Sequence, residues 1–360
     1  MRFVLFCHSL LSDWNHGNAH FLRGVMTELG ARGHDVRAYE PEDGWSVTNL
    51  VADAGPALLD EVRAAFPALR PIRYAPGELD LDAALDGADV VLVHEWSSPE
   101  LVRRVGERRA RGRFRLFFHD THHRSASDPE AIARLDLGAY DGVLAFGRSV
   151  ADRYLAGAWA RRAFVWHEAA DISRFFPRRV EQDLDLIWIG NHGDGERSAE
   201  IEELILGPCR DLGLRAMFHG VRYPESALRA MERAGVAYGG FLPNHRVPEA
   251  LARARVTVHV PRRPYVGALP GVPTIRPFEA FACGVPLVMG AWHDRERLFE
   301  PGSYRVARSG AEMKAHLRDL LGDPGGAARM ACRARRTLLL RHTCAHRADE
   351  LVAIAGGIPA

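Results

Sequence analysis

The chain has 360 residues, of which 47% are apolar and 26% charged, the composition of an ordinary soluble protein. Its 47 basic residues balance 46 acidic ones to a net charge of +1, which argues against a nucleic-acid partner or a membrane-surface role. No stretch approaches the 18 consecutive apolar residues of a membrane-spanning helix. The length exceeds what one hydrophobic core usually supports, so we expect two domains.

The N-terminus and the cysteines both indicate a cytoplasmic protein. Residues 1–11 are too short and too polar at their end for a secretion signal. The cysteines are widely scattered and none belongs to a Cys-x-x-Cys pair, which argues against a zinc site and fits reduced thiols. We therefore expect neither a metal nor a separate cofactor.

The first half of the chain alternates short apolar runs with helical periodicity. Residues 18–32 predict a helix with an apolar face that includes Phe21, Val25 and Leu29. The runs that we interpret as strands are residues 2–7, 35–39, 90–94, 114–119, 142–146 and 164–167. Continuous Val/Leu/Phe runs of this kind are typical of a parallel sheet covered by helices on both faces.

The same pattern restarts in the second half. Its predicted strands are residues 185–190, 215–219, 237–241, 256–260 and 285–289. We therefore predict an α/β protein with two doubly wound, Rossmann-like parallel-sheet domains facing a cleft, with ligands outside the carboxyl ends of the strands. The predicted domains are residues 1–177 and 178–341, and residues 342–360 form a terminal helix that crosses back to the first domain.

The most informative segment is residues 271–288, which reads as a Gly/Pro-rich loop, a short helix and a buried strand. Thr274 is the predicted helix cap, and Ile275 and Arg276 open the helix. A helix N-terminus offers free backbone N–H groups and a positive dipole end, which suit a diphosphate. Glu279, about one turn further on, could accept both hydroxyl protons of a ribose diol. The alternative is an ordinary loop–helix–strand unit with a surface glutamate.

A glycine-rich turn follows the first strand of the second half, at residues 190–197. Asn191 and Gly193 lie in this turn, whose spacing matches neither a Walker loop nor a dinucleotide fingerprint. Arg197 supplies a cation that could neutralise a leaving phosphate. The alternative for Arg197 is a solvated residue in the first turn of a helix.

Two further arginines, Arg262 and Arg263, follow the strand predicted at residues 256–260. Together with Arg276 they form a basic group around one strand-end region. Any one of them would normally be read as a surface charge. Three arginines near a candidate anion site predict that at least one binds phosphate.

In the first half, Asp13 and His16 follow the first strand in a polar loop that also carries Trp14, which we expect to be exposed. A carboxylate or imidazole at a strand end could transfer a proton to or from a hydroxyl group, so both are catalytic candidates. The alternative is a polar turn that caps the following helix.

A histidine-rich segment, His119-Asp-Thr-His122-His123, follows another predicted strand. The adjacent histidines and the missing i,i+4 ligand argue against a metal site. A hydrogen-bonding or acid–base role is better supported, and the alternative is a loop whose imidazoles satisfy backbone groups.

Residues 274–286 resemble the Glu-Ala-x-Ala-x-Gly-x-Pro element of group 1 glycosyltransferases with the GT-B fold. The arginine ahead of Phe-Glu-Ala is most similar to the spore-maturation, CgeB-type proteins. Residues 170–177 are similar to the Ala-Asp-x-x-x-Phe-x-Pro linker of the same enzymes, and residues 342–347 resemble the start of their final helix.

The resemblance implies a nucleoside-diphosphate-sugar donor held mainly by the C-terminal domain and an acceptor near the N-terminal one. It implies that Glu279 binds the ribose hydroxyls, that the helix start from Thr274 to Arg276 meets the diphosphate, and that His119 lies near the sugar. Two features depart from the family. Gly271 stands where retaining relatives carry a second glutamate, and their Arg…Lys pair is missing, for which we expect Arg197 to substitute.

The sequence thus predicts a cytoplasmic, metal-independent glycosyltransferase that acts on an unidentified acceptor, whether glycan, lipid-linked glycan, protein or small molecule. An inverting reaction would need a base, for which Asp13, His16 and His122 are the candidates, whereas a retaining one would not. Two alternatives remain open: a nucleotide-sugar epimerase on the same fold, and a non-catalytic nucleotide-sugar-binding protein.

Overall fold

The computed structural model of the protein describes residues 1–75 and 77–358, so the last two residues of the predicted terminal segment lie outside it. The chain divides into two compact units. Unit 1 comprises residues 1–168 together with residues 344–360, and unit 2 comprises residues 169–343.

In its described residues, unit 1 contains a seven-stranded parallel sheet in the order β3-β2-β1-β4-β5-β6-β7. Its strands are β1 (Arg2–Phe6), β2 (Asp35–Pro41), β3 (Ile72–Tyr74), β4 (Val90–His94), β5 (Arg115–Asp120), β6 (Gly142–Ala145) and β7 (Ala163–Val165). Its helices are α1 (Ala19–Ala31), α2 (Trp45–Ala54), α3 (Ala57–Ala65), α4 (Leu81–Leu85), α5 (Pro99–Arg109), α6 (Arg124–Ser127), α7 (Pro129–Ala133), α8 (Arg148–Ala156) and, from the end of the chain, α17 (Cys344–Gly356).

Unit 2 contains a six-stranded parallel sheet in the order β10-β9-β8-β11-β12-β13, built from residues that are all described. Its strands are β8 (Leu184–Ile189), β9 (Ala216–His219), β10 (Val236–Tyr238), β11 (Ala254–His259), β12 (Leu287–Met289) and β13 (Arg305–Val306). Its helices are α9 (Ser198–Ile201), a π-helix (Glu202–Leu206), α10 (Gly207–Leu212), α11 (Glu225–Arg233), a 3-10 helix (Asn244–Arg246), α12 (Val247–Ala252), α13 (Arg263–Val266), α14 (Ile275–Cys283), α15 (Gly310–Gly322) and α16 (Pro324–Arg341).

The apolar composition of the central strands explains both sheets. The strands at the centre of each sheet are buried over nearly their whole length, and Val90–His94 is buried throughout, as expected where helices cover both faces. The core of unit 2 divides into one cluster on each side of its sheet, around Trp188 and around Phe278. The predicted fold class, parallel α/β sheets in both halves of the chain, is confirmed.

Two strands were missed by the sequence analysis, and both lie at sheet edges. Strand β3 has three residues, with Ile72 exposed, and strand β13 has two. Segments this short carry no period that distinguishes a strand from a loop, and their pairing with β2 and β12 decides their conformation.

Candidate functional site: two strand-end clusters

Unit 2 has its topological switch point between β8 and β11, where the strand order reverses direction. The chain leaves these neighbouring strands toward opposite sides, which opens a crevice between their carboxyl ends. The loops that border this crevice are residues 190–197 after β8 and residues 260–262 after β11. The predicted anion-binding residues Asn191, Gly193, Arg197 and Arg262 therefore lie together at the switch point.

Arg197 joins the two loops. Its guanidinium donates to the carbonyl of Val260 at 3.0 Å and to the backbone and side-chain oxygens of Asn191 at 2.8 and 2.7 Å, and it lies over the Trp188 ring. The side chain is 8% exposed, and its Nε has no hydrogen-bond partner in the described structure. Burial, with the nearby Arg262 and Arg276, lowers the pKa of Arg197 to about 9, so it stays charged at neutral pH.

The two arginines after β11 have different surroundings. Arg262 donates to the carboxylate of Glu196 and, at 3.2 Å, to Asn191 Oδ1, so it belongs to the same network as Arg197. Arg263 is more exposed and pairs with Glu200, with Nε 2.7 Å from its Oε1. One loop thus provides a partly buried arginine and a more exposed one, and the guanidinium of each also reaches the 190–197 loop, that of Arg263 through the Gly195 carbonyl at 2.9 Å.

Helix α14 begins beside the same strand end. Thr274 occupies the N-cap position, but its side chain forms no capping hydrogen bond and instead lies with Oγ1 3.4 Å from His259 Nε2 at the end of β11. The backbone N–H groups of the first turn are therefore not covered by the cap side chain. The helix ends at Gly284 in the left-handed conformation, which glycine adopts without steric cost.

Glu279 is buried, with 1% of its surface exposed, so the interpretation of it as a surface residue outside the core is wrong. Its Oε1 accepts from Asn244 Nδ2 at 2.7 Å, and its Oε2 pairs with Arg276 one helical turn earlier. A small cavity of about 10 Å³ lies between Glu279, Arg276 and His259, which is enough room for a single water molecule. The Glu279 carboxylate is buried, is held in one orientation and lies next to the Arg276 guanidinium, so it is suited to accept hydrogen bonds from a diol.

Gly271, which replaces the second glutamate of the retaining family members, has a φ of +90°. L-residues rarely adopt this conformation, and a Cβ here would lie 3.2 Å from that of Arg295. The backbone of this loop is therefore shaped for glycine, and a glutamate could be restored only with strain.

Unit 1 has its switch point between β1 and β4. Imidazole rings line it in a row from His8 through His16 and His94 to His119, with successive ring centroids 5.6, 5.6 and 5.3 Å apart. Burial lowers the pKa of His8 to about 4 and that of His119 to about 3, and it holds those of His16 and His94 well below the usual value. This cluster is uncharged at neutral pH.

His119 has no exposed surface, and neither ring nitrogen has a hydrogen-bond partner among the described residues. Its ring packs against those of Phe21 and Trp166. A ligand could reach it only after the covering side chains moved.

Asp13 and Trp14 are also buried, so the expectation of an exposed tryptophan is wrong. Asp13 forms a buried ion pair with Arg23 at 2.7 Å, and the Trp14 indole N–H donates to Asp53. Residues 3–14 are buried without interruption, because the loop after β1 folds back into the end of the sheet instead of turning out to solvent.

The half-buried His122 lies in a loop that two buried carboxyl groups hold in place. Glu95 Oε1 accepts from the backbone N–H and the hydroxyl of Thr121, both at 2.9 Å. Asp120 accepts from the backbone N–H of His122 at 2.9 Å and from the Tyr154 hydroxyl at 2.6 Å. Burial raises the pKa of Glu95 and of Asp120 above the usual carboxyl values.

Two buried residues of these clusters have contacts that the sequence did not predict: Asn244 was not singled out, and Asn18 was expected only to cap the first helix. Asn244, which orients Glu279, and Asn18, which bridges His94 and Glu168 at 3.1 and 2.9 Å, are both buried. The position of His94 and Glu95 directly after the buried Val90–Val93 run was an available signal, because polar residues at such strand ends face ligands. In residues 1–75 and 77–358, no group of three or more His, Cys, Asp or Glu side chains is arranged to hold a metal ion.

Comparison with known proteins gives one family and many structures. Residues 197–353, somewhat less than half of the chain, match the family model described as "Glycosyl transferase-like". No curated protein sequence matches the chain. The matched region contains Arg197, Arg262, Arg276 and Glu279.

The similar structures are glycosyltransferases or related enzymes of low sequence identity. An alpha-glucosyltransferase in complex with UDP and a 13-mer DNA is 13% identical with a TM-score of 0.72, covering 99% of both chains. HepE of Anabaena in complex with UDP is 13% identical with a TM-score of 0.71, covering 99% of this chain and 100% of that one. Sucrose-phosphate synthase from Thermosynechococcus elongatus is 13% identical with a TM-score of 0.68, covering 98% of each. The chain therefore has the GT-B fold.

Across the described part of the chain, no helix is long and apolar enough to span a membrane.

Proposed function

We propose that the protein is a glycosyltransferase that moves a sugar from a nucleoside diphosphate to an acceptor hydroxyl. The matched family in residues 197–353 and the UDP named with two of the similar structures support this class. The sequence Arg276-Pro-Phe-Glu279-Ala further favours the CgeB-type branch of the group 1 enzymes. We also propose that the protein acts in the cytoplasm.

The observation that carries the proposal is the arrangement at the unit 2 switch point. The buried Glu279 carboxylate, held in place by Asn244 and Arg276, binds the ribose hydroxyls. Arg197 and Arg262, with Asn191, Gly193 and the α14 start at Thr274 and Ile275, bind the diphosphate. Arg263 belongs to the outer edge of the same region.

The chemical step breaks the bond between the sugar's anomeric carbon and the β-phosphate oxygen, which leaves with the electron pair. The oxygen of the acceptor hydroxyl forms a new bond to that carbon, and its proton passes to a base or to the departing phosphate. Preorganised cations stabilise the charge that develops on that oxygen. Because arginines perform this role in the proposal, transfer is expected to persist in EDTA. If the reaction inverts, His122 is the base to test first, because Asp13, His16 and His119 are buried.

The test is calorimetric titration of UDP into the wild-type protein and the variant Glu279→Gln. The amide keeps the shape of the side chain but offers one acceptor fewer to the diol, so we expect UDP affinity to fall about tenfold. Glu249→Gln is the matched control, since Glu249 lies in the same unit, is exposed and pairs with Arg178 at 2.8 Å.

Equal UDP affinity in wild type and Glu279→Gln would contradict the site assignment. With UDP-glucose as the probe, release of UDP in water would argue against a protein that only binds nucleotide sugars. An altered sugar without UDP release would instead identify an epimerase.

A further inference from the structure

Two half-buried tryptophans form a corner at the carboxyl edge of the unit 1 sheet. Trp45 follows strand β2 and Trp96 follows strand β4, and their ring centroids are 6.3 Å apart with planes at 79°. Trp14 meets Trp45 edge-on at 6.1 Å, and His122 meets Trp96 at 5.1 Å. We call the two indoles, Trp45 and Trp96, the indole corner.

The indole corner is held rigid from behind. His8 stacks on Trp45 at 4.4 Å, and the guanidinium of Arg124 lies over Trp96 at 4.5 Å. Arg124 in turn donates to the backbone carbonyl of Glu95, which fixes its position. A surface that is already ordered loses little conformational entropy when a ligand binds, so this arrangement is suited to recognition.

Charge distinguishes between the possible ligands. Around this edge, Arg23 and Arg124 each pair with an acidic partner, Asp13 and Glu95. Further acidic side chains nearby are Glu42 and Asp43 in the loop after β2 and Asp53 in α2, which accepts from the Trp14 indole. A nucleic acid or another polyanion needs an excess of cations to neutralise its phosphates, and the charged side chains named around the indole corner do not supply one.

The chemistry of the indole corner matches a neutral sugar ring. One face of a pyranose carries axial C–H bonds whose hydrogens are slightly positive, and the face of an indole carries the negative part of its quadrupole. The hydroxyl groups around the rim of the sugar would meet the polar groups of the 121–124 loop, His122 among them. Two indoles at right angles can contact one sugar from two sides or two successive sugars of a chain.

We propose that the indole corner binds the acceptor, and that this acceptor is an uncharged glycan or glycoside. The proposal rests on the proposed glycosyl transfer, because it names the class of molecule that receives the sugar. It assigns Trp45 and Trp96 as binding residues and leaves the nucleotide to the other unit.

The test is saturation-transfer difference NMR on the full chain with cellobiose, and separately with a single-stranded 13-mer DNA. For wild type we expect magnetisation transfer to the axial ring protons of the sugar and none to the DNA. Trp96→Ala and Trp45→Ala should each weaken cellobiose binding about tenfold, since truncating an aromatic anchor typically removes more than a kcal/mol.

Trp159→Ala is the matched control, because Trp159 is also half-buried in unit 1 but follows helix α8, away from the carboxyl edge of the sheet. It should bind cellobiose as wild type does. UDP titration of each variant separates this proposal from the previous one: unchanged UDP affinity in Trp96→Ala leaves the nucleotide site intact. Absence of a cellobiose signal in wild type, equal signals in wild type and Trp96→Ala, or a DNA signal that Trp96→Ala abolishes would each overturn the acceptor assignment.

Discussion

The two switch points of the molecule have the same topology and opposite chemistry. In unit 2 the crevice between β8 and β11 is bordered by arginines, and the buried Arg197 keeps its charge at neutral pH. In unit 1 the crevice between β1 and β4 is filled by imidazoles that burial keeps neutral. The doubly wound sheet fixes where a ligand can bind, and the side chains of the loops decide whether that ligand is an anion or an uncharged molecule.

The loops differ in their backbone as well. Unit 2 places glycines with positive φ at its strand ends, among them Gly193 and Gly220, where the chain approaches other groups closely. The loops of unit 1 after β1 and β4 carry large rings instead, such as Trp14 and Trp96. A bare backbone presents N–H groups to a phosphate, whereas rings present flat apolar surfaces.

The largest expected effect comes from removing the buried charge of unit 2. Arg197→Met keeps the apolar stem of the side chain but removes the guanidinium that faces the crevice. We expect UDP affinity to fall about a hundredfold, roughly 2.7 kcal/mol, as for loss of a charge-assisted contact to phosphate. Calorimetric titration measures it, with Arg263→Met as control, because the guanidinium of Arg263 is engaged by Glu200. Equal losses in both variants would remove the distinction between the inner and outer arginines.

The second prediction concerns the neutral histidines of unit 1. Burial lowers the pKa of His119 to about 3 in the folded state, against about 6.5 in the unfolded chain. Below pH 6.5 the unfolded chain therefore binds a proton that the folded state does not, and stability falls by about 1.4 kcal/mol per pH unit for each such histidine.

His119→Phe removes one of these protons without breaking a hydrogen bond, because the ring nitrogens have none within the described residues. Between pH 7.5 and pH 5 we expect the variant to lose about 2 kcal/mol less unfolding free energy than wild type. Urea unfolding at both pH values measures the difference, with each protein's pH 7.5 value as its own reference. Parallel losses in the two proteins would show that His119 is not the group that titrates.

The smallest expected effect comes from alanine substitutions at Gly193 and Gly195. Comparing the two separates the cost of backbone strain from the cost of a steric contact with the Arg197 side chain. Gly193 and Gly195 have φ of +89° and +85°, so alanine strains both to a similar degree. A Cβ at Gly193 would come within 2.6 Å of the Arg197 side chain, whereas at Gly195 it meets no atom of the described structure within 4 Å.

We therefore expect Gly193→Ala and Gly195→Ala to lose similar thermal stability, and Gly193→Ala alone to weaken UDP binding, by about fivefold to tenfold. Thermal unfolding and UDP titration of both variants check this. Equal UDP affinities would mean that Arg197 can move aside at no cost.

Most of the fold could be predicted from the sequence, because buried parallel strands are continuous apolar runs. The run Val90–His94 has the predicted bounds, and the other long strands differ from prediction by one or two residues. The edge strand Ile72–Tyr74 could not be found, since three partly exposed residues next to a proline carry no pattern. Its conformation is decided by pairing with β2, which is a tertiary contact.

The candidate sites could be located but not described in detail. Strand-end position indicated Arg197 and His119, because loops at the carboxyl edge are where doubly wound sheets bind ligands. Glu279 was indicated by its place one turn after a predicted helix start and by the resemblance to group 1 glycosyltransferases. Burial was misjudged for Glu279 and Trp14, since whether a polar or aromatic side chain turns inward depends on partners far along the chain. Asn244 is 35 residues from Glu279, and no local pattern links them.

Unit 1 is completed by the last helix of the chain, and this has a consequence for the order of folding. The Trp166 indole, which packs on His119, donates to the carbonyl of Arg347 in α17, and Arg32 pairs with Asp349 of the same helix. Unit 2 is one continuous segment that ends at Thr343. Unit 2 can therefore fold from one continuous stretch, whereas unit 1 is complete only once residues 344–356 have joined it. A chain that stops at residue 343 should hold a folded unit 2 and leave the histidine cluster of unit 1 without its closing helix.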